Sequence, residues 1–341
     1  MFPAVNRPLF YFLYGKEFLA VLKKHARRTA NKMSRKKITV VGAGNVGAHT
    51  ALWLASKELG DVVLIDVMDG TAMGKGLDLM EASPIEGFDS SVTGTGDYKD
   101  TANSDVVIIT AGLPRKPGMS RSDLINTNLG IVKSVVAGVA PFSPNAHIIV
   151  VTNPLDVMVY AAWKFSGFKP NKIIGMAGAL DSARMRAFIA MELGISVEDV
   201  QTLVIGGHAD EMVPLKRYST VSGVPIGQLI SAERIDAIIA RTKTAGGEIV
   251  GLLKTGSAFY APSAASAEMA AAILKDKKRV IPCAAYCTGQ YGVSGMFIGV
   301  PVKLGAGGVE KIYEVEMDDA EKKAFDNSVS AIKKQIDDLK I

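Results

Sequence analysis

The stretch KITVVGAGNVGAHTALWLASKELGDVVLID, Lys37 to Asp66, decides the fold. KITVV and VVLID are short, continuous apolar runs rich in β-branched residues, as strands buried on both faces of a parallel sheet should be. GNVGAHTALWLASKEL between them reads as a helix, so the unit is strand, tight turn, helix, strand. The turn carries Gly42, Gly44 and Gly47 at G-x-G-x-x-G spacing, with Ala43, Asn45 and Val46 between them. The first glycine permits the sharp turn. The second lets a pyrophosphate approach the backbone, and the third lets helix and strand pack closely. The helix N-terminus offers that anion N–H groups and a favourable dipole. The second strand ends in Asp66, 19 residues after Gly47, where a carboxylate can hold both hydroxyls of an adenosine ribose. Asp66 also repels a 2′-phosphate, and Val67 and Met68 offer no cation to receive one, so NAD is expected rather than NADP.

Outward from this unit the alternation continues. DVVIIT and HIIVVTNP are further buried strands, with the helical DLINTNLGIVKSVVAGVA before the latter, and KIIGMAG follows another helical segment. After about residue 152 the character shifts. VQTLVIGGH and MVPLKRYSTVSGVPI look like antiparallel strands. ERIDAIIARTKTAGGEIVGLLK reads as a long helix, RVIPCAAYC and MFIGVPVKLG as strands, and a D-x-x-E box at Asp318 and Glu321 opens a C-terminal helix. The expected fold is α/β: a doubly wound parallel sheet over residues 33–178, followed by an α+β substrate domain with antiparallel strands over 179–341. No repeat, low-complexity tract or long linker interrupts it.

The formal charge of +5 invites a nucleic-acid reading, but its location opposes one. Residues 1–32 hold seven Lys or Arg against one acid, +6; the remainder holds 32 bases against 33 acids, −1. The folded body therefore has no phosphate-tracking surplus, and no nucleic-acid partner is expected. The leader is apolar in PLFYFLYGKEFLAVL, but Lys16 and Glu17 interrupt it, so no membrane span is expected. Its basic residues follow the apolar run instead of preceding it as in a secretory signal, and it is poor in Ser for a transit peptide. It is read as a disordered or mis-assigned segment, with MSRKK at Met33 as a natural start. Cys283 and Cys287 form C-x3-C with no further ligands nearby, so two buried thiols of a cytoplasmic protein are expected and no metal.

Of four histidines, His25 lies in the leader, while His49 and His147 are read as structural or exposed. His208 differs, standing after a strand in GGHADEMVP with two glycines that let a ligand come close to the backbone. A catalytic imidazole needs a partner to fix its tautomer and support its cation. Asp181, in LDSARMR at a helix start, is a candidate, and Arg184 at i+3 shares its helix face. The same spacing serves equally well for a capping Asp paired to Arg184. Asn153 lies beyond the C-terminal end of a parallel strand, where such sheets place their ligands. AGLPRKPGMSRSDL, after another strand, carries Arg115, Lys116 and Arg121 with no acid before Asp123. Either that loop is solvated, or an anion arrives there from outside.

Together VVGAGNVG, LIDV, AGLPRKPGMSR, VTNPLD, LDSARMR and GGHADEMVP resemble the lactate/malate dehydrogenase family, in its order and at its intervals, from Lys36 to the C-terminus. The resemblance implies a Rossmann-type cofactor domain and reversible oxidation of (S)-malate to oxaloacetate with NAD. It implies that His208, oriented by Asp181, exchanges the hydroxyl proton while hydride moves between C2 and the nicotinamide. Arg184 would clamp the carboxylate next to the reacting carbon, Arg121 would polarise the carbonyl oxygen from a closing loop, and Asn153 would bond substrate or cofactor. Val151, Thr152 and Asn128 would border the nicotinamide half of NAD. Arg115 would read the substrate's far carboxylate. Pyruvate would leave that guanidinium unpaired under a closed lid, at a cost on the order of 3–5 kcal/mol, hence a preference of about 10²-fold or more for oxaloacetate. A homodimer or homotetramer and a place in the tricarboxylic acid cycle are implied as well. The rival readings are a lactate or other 2-hydroxy-acid dehydrogenase on the same fold, and a dinucleotide-binding module without turnover.

Overall fold

The computed structural model describes residues 35–114, 121–208, 210–339 and 341, with the side chain of Arg121 excepted. The leader, Arg115 and Lys116 lie outside the described residues.

Six strands form the parallel half: β1 (Lys37–Val41), β2 (Asp61–Ile65), β3 (Val92–Thr95), β4 (Val106–Ile109), β5 (His147–Val150) and β6 (Ile173–Gly175). They lie in the order β3-β2-β1-β4-β5-β6, all neighbours parallel. In β1, β2, β4 and β5 the residues are mostly Val, Ile and Leu buried on both faces, as the apolar runs require. The order reverses between β1 and β4, so the connections leaving these strands diverge and open a crevice at their C-terminal ends. The intervening helices are α1 (Asn45–Ser56), α2 (Asp69–Glu86), α3 (Arg121–Val139) and α4 (Leu155–Ser166).

α5 (Gly178–Leu193) leads into β7 (Val200–Gln201), β8 (Val204–Gly206) and β9 (Met212–Pro214). Next come β10 (Thr220–Val221), β11 (Val224–Pro225), α6 (Ala232–Leu253) and α7 (Tyr260–Leu274). The chain ends with β12 (Arg279–Thr288), β13 (Ser294–Gly305), β14 (Gly308–Ile312) and α8 (Asp319–Asp337). β12 pairs antiparallel with β6 through Ala284 and Gly175, and β13, β8 and β9 follow, so one sheet runs through both halves. The β13–β8 crossing needs Gly299, because a Cβ there would lie 2.4 Å from the Gly206 carbonyl. One apolar core follows this sheet from Ile38 to Ile332. A second, around Met185, Ile189, Val204 and Ile238, packs α5 against α6. The box at Asp318 and Glu321 forms as expected, each side chain accepting the other's backbone N–H.

The sequence reading overlooked α2, β3 and α7. α2 contains Gly70, Gly74, Gly76 and Pro84 and has no strong apolar face. Gly76 of α2 and Gly94 of β3 serve close packing, since Cβ atoms there would meet the facing backbone at 2.7 and 2.0 Å. α7 is apolar and small-sided around most of its circumference and largely buried, so it lacks the one-sided period by which surface helices are found.

Cys283 and Cys287 are buried on β12 and unpaired. Burial pushes the thiol of Cys287 up to about 12, so neither its thiolate nor its reactivity is available at neutral pH. Among the described residues no cluster of His, Cys, Asp and Glu could hold a metal ion, and no helix is long and apolar enough to cross a membrane.

Candidate active site

The crevice is built from the strand ends upward. Gly42 follows β1 at φ +102°, and a Cβ there would lie 2.8 Å from the backbone of Ala111. The Cβ of an alanine at Gly47 would sit 1.7 Å from the Gly42 carbonyl, which is the close helix–turn packing expected of the third glycine. Gly44 is the opposite case: no atom lies within 4 Å of its Cβ position. Gly44 is also the N-cap of α1 and provides no side-chain cap, so N–H groups of the first turn remain for a ligand. An open Cβ position over an uncapped helix start is a cradle for pyrophosphate, and a dinucleotide fits there.

Asp66 anchors this turn. Its carboxylate accepts the Ala43 N–H at 2.6 Å and the Met68 N–H at 3.0 Å, leaving a further lone pair on each oxygen for ribose hydroxyls. Val67 and Met68 beside it are exposed and apolar. Three side chains tie the neighbouring strand ends together. Thr110 donates to the carbonyls of Val41 and Gly42 at 3.0 and 3.1 Å, and Thr152 donates to Ala111 at 2.7 Å. Asn128 is fully buried; its amide accepts the Leu113 N–H at 2.8 Å and donates to Leu113 and Asn153 carbonyls at 3.1 and 2.7 Å. It lines the cleft, and its polar atoms brace the loop roots. Asn153 is exposed at the cleft and joined to Pro154 by a cis peptide bond; Val151 is buried beneath it.

The second half of the cleft comes from α5 and the turn after β8. α5 begins after Ala177, whose φ of +28° is strained for a residue with a side chain. Gly178 follows because a Cβ would meet the Val204 carbonyl at 2.7 Å. This tight entry sets Asp181 in the first turn at 1% exposure. One Asp181 oxygen lies 2.8 Å from His208 Nδ1 and the other 3.4 Å from Arg184 Nη1. The carboxylate accepts, so in the neutral ring Nδ1 carries the proton and Nε2 is the acceptor. Arg184 also buries an Nε with no partner among the described residues, and Gly246 of α6 leaves room beside its guanidinium. Burial lowers the Arg184 pKa against the pull of Asp181, yet a guanidinium stays charged at neutral pH. Burial also works to lower the His208 pKa, but Asp181, by charge and hydrogen bond, and the charge of Asp156 outweigh it, so the net shift is upward.

A single cleft of about 790 Å³ joins these parts, lined by Gly44–Gly47 at one end and Arg184 and His208 at the other. Of the expected site residues, Arg115 lies outside the described residues. Arg121 opens α3, with its side chain likewise undescribed. His147 is 9% exposed and so buried, the structural of its two readings; Gly308 packs against its ring. His49 packs against Phe259 and Tyr260. Three supports went unnoticed in the sequence: Thr110, Asp156, which accepts the His208 N–H at 2.9 Å, and Ser328, which accepts the Gly207 N–H at 2.7 Å. Asp156 stands inside VTNPLD, but nothing in that motif marks it as an acceptor for His208.

Residues 36–175 match the family of the lactate/malate dehydrogenase NAD binding domain, and residues 178–340 that of the lactate/malate dehydrogenase alpha/beta C-terminal domain. A malate dehydrogenase of Roseiflexus castenholzii is 58% identical over 306 residues, covering 90% of this chain and 99% of that one. The solved malate dehydrogenase of Salinibacter ruber is 55% identical with a TM-score of 0.85, covering 89% of this chain and 97% of that one. A Cryptosporidium parvum lactate dehydrogenase, solved with lactic acid and NAD, is 46% identical with a TM-score of 0.86, covering 90% of this chain and 99% of that one. The cradle, the His208–Asp181–Arg184 set and these likenesses agree: the chain belongs to the lactate/malate dehydrogenase family.

Proposed function

We propose that the protein is an NAD-dependent malate dehydrogenase interconverting (S)-malate and oxaloacetate. The observation that carries this is the sharing of one buried carboxylate, Asp181, between His208 and Arg184 at the end of a cleft that begins at the glycine turn. NAD, when bound, accepts or gives the hydride. His208 Nε2 takes the hydroxyl proton of malate and returns it in reduction, with Asp181 holding the ring and stabilising the cation. Arg184 presents its guanidinium to the carboxylate next to the reacting carbon, its unpartnered Nε among the donors that carboxylate can meet. Arg121 is assigned to the reacting oxygen and Arg115 to the far carboxylate. Asn153 is assigned to substrate or cofactor. Gly42 to Gly47, Asp66, Val151 and Thr152 hold the cofactor, with Asn128 bracing the loop roots.

Residues 33–178 are assigned to the cofactor and 179–341 to the substrate. A cytoplasmic place is favoured by two free, buried thiols, and with it a part in the tricarboxylic acid cycle. A homodimer or homotetramer is favoured by exposed apolar side chains on α2 (Met73, Leu77, Ile85) and α6 (Val250, Leu252, Leu253). A body of net charge −1 favours no nucleic-acid partner. His208→Asn tests the mechanism: NADH oxidation by oxaloacetate is expected to be lost while NADH binding, read by fluorescence, survives. Full activity in that variant would refute the role of His208.

A further inference from the structure

Asp156 sits in the first turn of α4, 7% exposed, and no role in the mechanism above needs it. One of its oxygens accepts the backbone N–H of His208 at 2.9 Å, while the other is buried with no hydrogen-bond partner among the described residues. An acceptor for one N–H does not have to be charged: an amide or hydroxyl would serve. A helix start favours a carboxylate, but an exposed one would satisfy it equally. A buried carboxylate with an unpartnered oxygen and no ion pair of its own is costly to keep and calls for a compensating charge. His208 supplies one each time it is protonated.

We propose that Asp156 is a positioning residue for His208, its carboxylate pinning the histidine's backbone while its negative charge, added to that of Asp181, favours the imidazolium. The inference rests on the reading of His208 as the acid–base group. The turn is pinned independently by Ser328 of α8, which accepts the Gly207 N–H and is neutral, so loss of the Asp156 charge leaves one anchor in place. The charged groups around the ring are Asp181 and Arg184 from α5 and Asp156 from α4, while Asp210, Glu211 and Lys243 of α6 line the same cleft. Burial pushes the Asp156 carboxyl up to about 6, with His208 holding it down and Asp181 and Glu211 adding to the rise. It is therefore ionised where the imidazole titrates, above 6.5, and becomes protonated on the acid side of that range.

Asp156→Asn keeps volume and an acceptor but removes the charge; Asp156→Ala removes both. In the reduction of oxaloacetate His208 must start protonated, so kcat/KM falls as pH rises through its pKa. For Asp156→Asn that limb is expected to move to lower pH by about half a unit or more, with a plateau higher than that of Asp156→Ala. NADH binding checks that both variants are folded. A limb that stays in place in Asp156→Asn, or an Asp156→Ala profile that superimposes on the unmodified protein, overturns the inference. If neither variant folds, the unmodified protein answers. The His208 ring resonance, assigned by its loss in His208→Asn, is expected to titrate in two inflections as Asp156 and the ring exchange charge, and a single inflection overturns the proposal. The underlying reading fails separately: turnover by His208→Asn removes it, whereas an inert His208→Asn with an unmoved limb in Asp156→Asn removes only the role of Asp156.

Discussion

Asp181→Asn is the sharpest perturbation of the site, because the carboxylate faces two donors. One oxygen meets His208 Nδ1 at 2.8 Å and the other meets Arg184 Nη1 at 3.4 Å, at 1% exposure. A carboxylate accepts at both ends; an amide accepts at one and donates at the other. If the amide NH2 turns to His208, the ring must present a bare Nδ1, the proton moves to Nε2, and the base is lost from the cleft. If it turns to Arg184, two donors face each other in a site closed to water. Either orientation also strips the imidazolium of the Asp181 charge, the larger of its two carboxylate supports. The comparable change in a buried Asp–His pair of a hydrolytic triad costs about 10⁴ in kcat through the wrong tautomer. Without a nucleophile to activate, a loss of about 10³ to 10⁴ in kcat/KM for oxaloacetate is expected, about 4–5.5 kcal/mol of transition-state stabilisation. The substituted residue belongs to the substrate end of the cleft, so NADH affinity by fluorescence titration should stay within about two-fold, under half a kcal/mol. Activity within ten-fold of the unmodified protein would refute the reasoning, and so would a parallel loss of NADH binding.

The glycine turn predicts a contrast between two alanines. Gly47→Ala puts a Cβ 1.7 Å from the Gly42 carbonyl, so a destabilisation of about 3 kcal/mol or more is expected, seen as a lowered Tm. Gly44→Ala meets nothing within 4 Å, so Tm should hold while NADH binding weakens by about ten-fold or more, the side chain standing where the pyrophosphate approaches. The upward shift of His208 gives the pH dependence its sign. kcat/KM for oxaloacetate reduction should decline as pH rises through a group titrating above 6.5, while that for malate oxidation rises through the same group. A limb below 6.5 would contradict the net effect of Asp181 and Asp156.

The parallel half of the fold was legible because Val and Ile runs such as DVVIIT have one interpretation when glycine turns and helical patterns separate them. α7 was not, because burial around most of its circumference erases the one-sided pattern. Nor was the single sheet joining both halves, since the Ala284–Gly175 pairing spans 109 residues and rests on the small size of both partners. His208, Asp181 and Arg184 were legible as residue types at a strand end and a helix start, and the spacing of Asp181 and Arg184 left their role open until His208 was seen at 2.8 Å. Asp156, Ser328 and Thr110 were hidden for another reason. Each acts on backbone atoms 52, 121 and 69 residues away, and a hydrogen bond to a main-chain group leaves no mark on the partner's side chain.

The central claim, a dehydrogenase that selects a four-carbon dicarboxylate over a monocarboxylate, is tested most directly by comparing kcat/KM for oxaloacetate and pyruvate with NADH. Oxaloacetate is expected to be preferred by about 10²-fold or more, because pyruvate would leave the Arg115 guanidinium without its carboxylate, and Arg115→Gln is expected to erode this preference. A preference for pyruvate in the unmodified protein would contradict it.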